Sequence, residues 1–415
     1  MNPWSVDIED IRKIAMKTAA AVAVALLLAG GAVPSVAAPQ DDVVKKLIET
    51  YASAADWIVT QQQDSGAWLS GPAGKAVPSP AYTGLMVAAL GGAPASLKAK
   101  YKAAADKGVA YLISRTNADG SVGEGPTGAF IKTYATGIAL MGYASVERTD
   151  KVANAIRGAQ AYLKQNQLKE GKDAGGVGYG DDKPDGSKTT IANLSTTGFS
   201  AEGMHQSGLP KDDEFWKLVV KYVRKCQNNS ETNNDPEFVA ELKAKGLVVG
   251  DDGSLYYSTV ADPKAQKAGT KKVADKESIA GYGSMTYDGI KTYLYAGLKK
   301  DSPEVKAAID WVRKNYSVDV HPGFPFDNAQ RQHLRGIYHY YLVMSRALEA
   351  YGENPFETFD GKKHNWANEI AEQFLKQVHE SKMWKNENPA WFEGDPLLVT
   401  SYVLVTCNTL LKNVK

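Results

Sequence analysis

The stretch from Gly281 to Gly297, GYGSMTYDGIKTYLYAG, sets one carboxylate and one ammonium, Asp288 and Lys291, into an otherwise uncharged aromatic helix. Three residues apart, the two share a helix face. A carboxylic acid kept from water has a raised pKa unless a cation beside it holds it ionised, so Asp288 is either a proton donor or half of an internal pair with Lys291. It is the candidate catalytic residue. A second cluster follows in HLRGIYHYYLVMS, which carries His333, Arg335, His339 and three tyrosines. Arginine grips a carboxylate or phosphate through its planar fork. Tyrosine joins a large apolar ring to a hydroxyl, and its face attracts cations. Tyr134, Tyr287, Lys291, His333, Arg335, Tyr338 and Tyr341 are therefore the candidate ligand-binding residues. The alternative for each tyrosine is packing between helices, and for the charged residues it is helix capping or pairing with Asp288 and Glu349. His333 and His339 lack the i, i+4 spacing of a helical zinc pair, and Cys226 and Cys407 form no C-x-x-C. The sequence points to no metal and no cofactor.

These residues need elements to position them, and the chain supplies a repeat. From Val43 onward, a polar-faced helix alternates with a nearly uncharged one. The first polar-faced helix, VVKKLIETYASAADWIVTQQ, has its apolar residues at the 3- and 4-residue spacings of one stripe, and the uncharged SPAYTGLMVAAL follows it. The polar-faced type recurs with an aromatic at one register: Trp57, Tyr111, Tyr162, Tyr222, Trp311 and Phe374, at intervals of 54, 51, 60, 89 and 63 residues. The uncharged type keeps nearly the same beat through Gly84, Gly137, Gly198, Gly289, Gly336 and Ser401. Two independent anchors in step indicate a helical array of six hairpins, each with an outer and an inner helix. Glycine turns follow the outer helices as SGAW at Ser65, DGSV at Asp119, GGVG at Gly175, DGSL at Asp252 and PGFP at Pro322. Glycine there accommodates the left-handed residue that ends a helix. Inside the inner helices it costs about 1 kcal/mol relative to alanine, so its recurrence implies close approach between neighbours or room in a cavity. Two polar segments, 169–190 and 228–278, break the beat and read as rim insertions rather than domain boundaries.

Composition narrows the partners. Lys and Arg number 48 against 47 Asp and Glu, a formal net charge of +1, so no global field draws the chain to nucleic acid. The N-terminus runs basic (Arg12, Lys13, Lys17), then apolar (TAAAVAVALLLAG), then small (Val36-Ala37-Ala38), the order of a secretory signal peptide, with Met16 as an alternative start. The apolar run is shorter than the roughly 20 residues of a spanning helix. The expectation is a cleaved signal over 1–38, a single domain over 39–415 with no transmembrane segment, and a periplasmic or extracellular location.

The residues at this point resemble a known family. Gln62-x-x-x-Gly66-x-Trp68 is similar to the Q-x-x-x-G-x-W repeat of squalene/hopene cyclases and protein prenyltransferase β subunits. GSMTYDGIKTYLYAG and GIYHYYLVMSRALEAYG resemble segments of bacterial secreted prenyltransferase/squalene-oxidase repeat proteins. The resemblance implies an all-α fold, an α/α toroid or (α/α)6 barrel of about six helical hairpins, with an apolar cavity on its axis. The family's catalytic motifs are missing. No D-x-D-D occurs, and Asp181-Asp182-Lys183-Pro184-Asp185 and Asp251-Asp252 lie in turn-rich loops. Gly394-Asp395-Pro396-Leu397 keeps an Asp where a prenyltransferase has its zinc-binding D-x-C, but lacks the Cys. A GCGEQ thioester motif and a G-x-S-x-G elbow are absent as well.

The leading expectation is an exported cyclase- or prenyltransferase-like toroid that binds an isoprenoid or other small apolar ligand in its central cavity. One alternative is a binding module that holds a peptide or glycan with its rim loops. Another is a polysaccharide-active (α/α)6 enzyme, for which Asp288 and Glu202 are the available inner-helix acids.

Overall fold

Alternating polar-faced and apolar sequence resolves into alternating outer and inner helices. The computed structural model describes residues 39–71, 74–123, 131–179 and 191–414. The chain divides into the units Met1–Asp42 and Val43–Lys415, and the second is the subject below. The expected signal segment and the acidic run at Asp181 lie outside the described residues. Outer helices are α1 (Pro39–Thr60), α3 (Ala95–Ser114), α5 (Asp150–Asn166), α7 (Glu214–Lys225), α10 (Pro303–Asn315) and α12 (Trp366–Gln377). Inner helices are α2 (Pro80–Gly91), α4 (Lys132–Ser145), α6 (Leu194–Gln206), α9 (Gly283–Tyr295), α11 (Ile337–Tyr351) and α13 (Pro396–Asn413). The inner helices pack in a closed circuit, α2 on α4, then α6, α9, α11, α13 and back to α2. This is the α/α toroid. Among the described residues no helix is long and apolar enough to cross a membrane.

The repeated turn residues lock successive hairpins together by three devices, two of them shared by four corners and the third by three. Gly66, Gly120, Gly175 and Gly253 all have φ between +80° and +94°. A Cβ on any of them would lie within 2.3 Å of a carbonyl oxygen in the next outer helix, those of Lys107, Gly158, Leu218 and Ala307. Only glycine satisfies both demands. Two residues later, the backbone N–H of Trp68, Val122, Val177 and Leu255 donates to a threonine hydroxyl in the first turns of the next inner helix: Thr83, Thr136, Thr197 and Thr286, at 2.9–3.1 Å. The Gln62, Gln167 and Gln227 amides each donate to a turn-glycine carbonyl and to a carbonyl of the next outer helix, those of Ala104, Phe215 and Glu304. Backbone groups that an inserted turn would leave unpaired are thus satisfied at these corners. The sixth corner uses Lys382 at φ +64° in place of glycine, with the Trp384 N–H donating to Thr400. PGFP departs, because Pro325 has no N–H to give.

Inner-helix glycines do separate jobs. A Cβ on Gly84 or Gly137 would press on the next inner helix, at Ile138 and Ser200 respectively, and one on Gly198 would lie 2.1 Å from the Asp288 carboxylate. Gly289 instead faces the Leu255 side chain of its own turn. Gly336 stands outside its helix, at φ +65° before α11, because a short 3-10 turn at Gln332–Leu334 precedes it.

The 228–278 insertion folds into helix α8 (Pro236–Ala244) and a three-stranded sheet. There β3 (Leu247–Val248) runs parallel to β5 (Lys276–Ile279), which pairs antiparallel with β4 (Thr270–Val273). A small hairpin, β1 (Leu69–Ser70) with β2 (Val77–Pro78), follows the first turn.

Candidate ligand cavity

All six inner helices begin at the same end of the ring, and their first turns surround a cavity of about 960 Å³. Leu85, Ile138, Met285 and Leu398, one turn inside, supply aliphatic wall, and Tyr82, Tyr134, Tyr282 and Tyr402 supply aromatic wall. Insertions and turns complete it with Tyr179, Tyr257, Lys267, Trp391 and Phe392. Burial raises the phenols of Tyr82, Tyr134, Tyr257, Tyr282 and Tyr402 well above the ordinary value, so these rings present neutral hydroxyls. Tyr82 donates to Asp395 Oδ2 at 3.0 Å, and the Tyr179 and Tyr257 hydroxyls share a hydrogen bond of 2.8 Å.

The helix ends that frame the mouth are capped in two ways. Ser79, Asn193 and Asp395 cap α2, α6 and α13 with their own side chains. α9 and α11 have no side-chain cap of their own, since Tyr282 and Gly336 stand at those positions. His321 serves α9: its Nε2 accepts from Ser284 N at 2.9 Å while Nδ1 faces the Arg335 carbonyl oxygen. Nδ1 therefore carries the proton. Burial lowers the His321 pKa to about 3, so the ring stays neutral. Glu393 serves α11: Oε1 accepts from His339 N at 2.7 Å, and Oε2 from Tyr338 N at 3.3 Å and Asn386 Nδ2 at 2.6 Å. Two consecutive left-handed residues, Trp391 (φ 56°) and Phe392 (φ 65°), turn the chain so that Glu393 reaches this point. The Trp391 ring rests on Gly336, where a Cβ would meet it at 2.1 Å. Glu393 is fully buried, and burial raises its pKa to about 7 against those donors.

Asp288 and Lys291 lie deeper, outside the cavity lining. Lys291 Nζ is 2.6 Å from Glu202 Oε2 and 2.8 Å from Asp288 Oδ1, and Arg346 Nε is 3.2 Å from Glu202 Oε1. The Asp288, Lys291 and Glu202 side chains are at most 1% exposed. Burial raises Asp288 to about 6 although Lys291 counters it. Burial works against the Lys291 ammonium too, but Asp288 and Glu202 more than reverse it. At Glu202 the Lys291 and Arg346 charges overcome burial and lower the pKa. Phe199 connects the two regions, its ring 5.1 Å from Tyr134, 5.6 Å from His339 and 5.7 Å from Lys291 Nζ.

Of the sequence candidates, Tyr134 lines the cavity. Tyr338 and Tyr341 turn outward, Tyr338 donating to Gln377 and Tyr341 to the Val318 carbonyl, each beside Phe374 of α12. Tyr287 packs edge-on against Tyr340. His333 stacks on Phe326 in the loop before α11. Arg335 lies behind the cavity wall, its guanidinium 5.4 Å from the Trp391 ring and 5.7 Å from Phe324. Sequence reasoning missed Glu393, Lys267 and Trp391. Lys267 comes from an insertion, and Glu393 follows a pair of left-handed residues that no sequence pattern announces.

No protein-family model and no curated protein matches the sequence. Solved structures match over nearly the whole chain. The type II terpene cyclase MstE from Scytonema aligns at 15% identity over 89% of this chain and 98% of its own, with a TM-score of 0.52. A family 76 glycoside hydrolase from a bovine Bacteroides thetaiotaomicron strain aligns at 10% identity over 88% and 78%, TM-score 0.57. D-mannose isomerase aligns at 12% over 92% and 100%, TM-score 0.53. The class the ring defines is the α/α toroid. Three different activities share it, so the likeness is one of fold.

Proposed function

We propose that this chain is an exported toroid that binds an isoprenoid or similarly apolar chain in the cavity at the N-terminal end of its inner helices. The observation that carries this reading is the cavity itself: about 960 Å³, near the upper end of small-molecule sites, and walled by tyrosine, tryptophan and aliphatic side chains. A chain of about fifteen carbons buried there gains roughly 12 kcal/mol at ~0.8 kcal/mol per carbon, before about 4–15 kcal/mol is lost to association. Micromolar affinity is within that range. The reading assigns binding rather than chemistry. Of the acids lining the cavity, Glu393 has both oxygens engaged by N–H donors, and Asp395 has its own engaged by Leu397 N and the Tyr82 hydroxyl. Asp288 and Glu202, the acids nominated for polysaccharide chemistry, are tied to Lys291 outside the lining.

The N-terminal sequence supports export, with Val36-Ala37-Ala38 as the cleavage region. The test is to purify residues 39–415, expose them to a lipid extract and to squalene and prenyl alcohols, and read co-purifying lipid by mass spectrometry and thermal stability by scanning calorimetry. An enriched isoprenoid and a raised Tm are expected. No enriched lipid together with an unchanged Tm overturns the reading.

A further inference from the structure

We propose that the 228–278 insertion equips the cavity with an anion subsite at Lys267, so that the ligand is an amphiphile with an apolar chain and a carboxylate or phosphate head. This rests on the binding function proposed above and specifies its ligand class. Lys267 lines the cavity and its Nζ sits 4.5 Å above the Tyr257 ring. No carboxylate among the described residues pairs with it. Arg335 stands nearby, its Nη1 directed at the Lys267 carbonyl at 3.5 Å, its guanidinium against Trp391 and Phe324, and its buried Nε without a partner. Lys267 thus brings a cation to one corner of an apolar cavity, with Arg335 behind the wall there, aromatic faces around both and no counter-charge among the described residues. The strain shows at Lys267, whose ammonium loses stability first through partial burial and then through Arg335.

Two further groups independently ask for a polar ligand. Ser284 Oγ, at the start of α9, and His339 Nε2, in the first turn of α11, both line the cavity, are more than nine-tenths buried and have no hydrogen-bond partner. A buried polar atom left unmatched is costly unless a ligand supplies its partner. The cavity's own carboxylates do not neutralise the corner, because Glu393 is spent on α11 and Asn386, and Asp395 on Tyr82 and α13. An anionic head at Lys267, with its chain running along Tyr134 and Tyr402, supplies the missing counter-charge, and the unmatched Ser284 and His339 atoms mark further polar points on the same wall.

The test compares three ligands of one chain length: a prenyl alcohol, a prenyl carboxylate and a prenyl monophosphate, titrated by calorimetry at low salt. At least one acid is expected to bind about ten-fold more tightly than the alcohol, with the gap narrowing as salt is added. Whichever acid leads identifies the head. Lys267→Gln should reduce that preference below about three-fold, and Lys267→Arg should retain it. Equal binding of alcohol and acids by the wild type, or an acid preference unmoved in Lys267→Gln, overturns the anion subsite while leaving the apolar-ligand reading intact. Failure of all three ligands to bind overturns both.

Discussion

Replacing Lys291 by methionine tests whether the central ion cluster stands on this one ammonium. The side chain is 1% exposed and serves two buried carboxylates, Glu202 at 2.6 Å and Asp288 at 2.8 Å. Methionine fills similar space and leaves both acids without it. Breaking a buried pair in this way typically costs 3–5 kcal/mol. The lower end applies here, about 3 kcal/mol, for two reasons. Glu202 keeps Arg346 at 3.2 Å. Asp288 already carries a pKa of about 6 beside Lys291, so once the ammonium is gone it can take up a proton near neutral pH and avoid a bare buried charge. The pH dependence follows from the signs. In the wild type the lowered pKa of Glu202 contributes stability above its unfolded value of 4.5, lost as pH falls through the folded value. Without Lys291 only Arg346 still holds Glu202 ionised, so that contribution shrinks, and both acids shift toward the protonated form. The deficit in urea unfolding should therefore be about 3 kcal/mol at pH 7.5 and shrink markedly by pH 5. Adding Glu202→Gln and Asp288→Asn to the variant should recover most of it. A Lys291→Met protein within about 0.5 kcal/mol of wild type at pH 7.5, or a deficit that does not change with pH, would refute this account of the cluster.

Three further outcomes are expected. The Glu393 carboxyl rises from 4.5 to about 7 on folding, so it contributes up to ~3 kcal/mol that is fully present below pH 4.5 and lost as pH climbs through 7; Glu393→Gln should flatten this segment of the stability profile measured by urea titration from pH 4.5 to 8. Gly175→Ala should destabilise by at least ~2 kcal/mol, because φ is +94° and the new Cβ would fall on the Leu218 carbonyl, whereas Lys382→Gly at the equivalent sixth corner should stabilise by up to ~1 kcal/mol. Ile138→Trp should fill the cavity from α4 and abolish lipid binding while the far-UV circular dichroism stays that of the wild type.

The hairpin repeat was legible because helical periodicity and the glycine turns are local properties. The Gln62 motif was visible once, yet the structure contains it three times. Gln167 and Gln227 make the same bonds as Gln62, but insertions place Gly175 eight residues on and Gly253 twenty-six residues on, so linear spacing conceals them. The contact of Gly198 with Asp288 joins two inner helices ninety residues apart and could not be read from either.

The amino-acid sequence by itself determined the alternation of outer and inner helices, the glycine corners and the placing of Asp288 and Lys291 on one helix face, since each depends on spacings within a few turns of chain. Tertiary structure decided which faces of the inner helices look inward. Tyr338, Tyr341 and Tyr287 go to outer packing, Tyr134 goes to the cavity, and Glu202 joins Lys291 from another helix. An aromatic helix buried on all sides carries no amphipathic stripe to announce its inner face, so only closure of the ring assigns it.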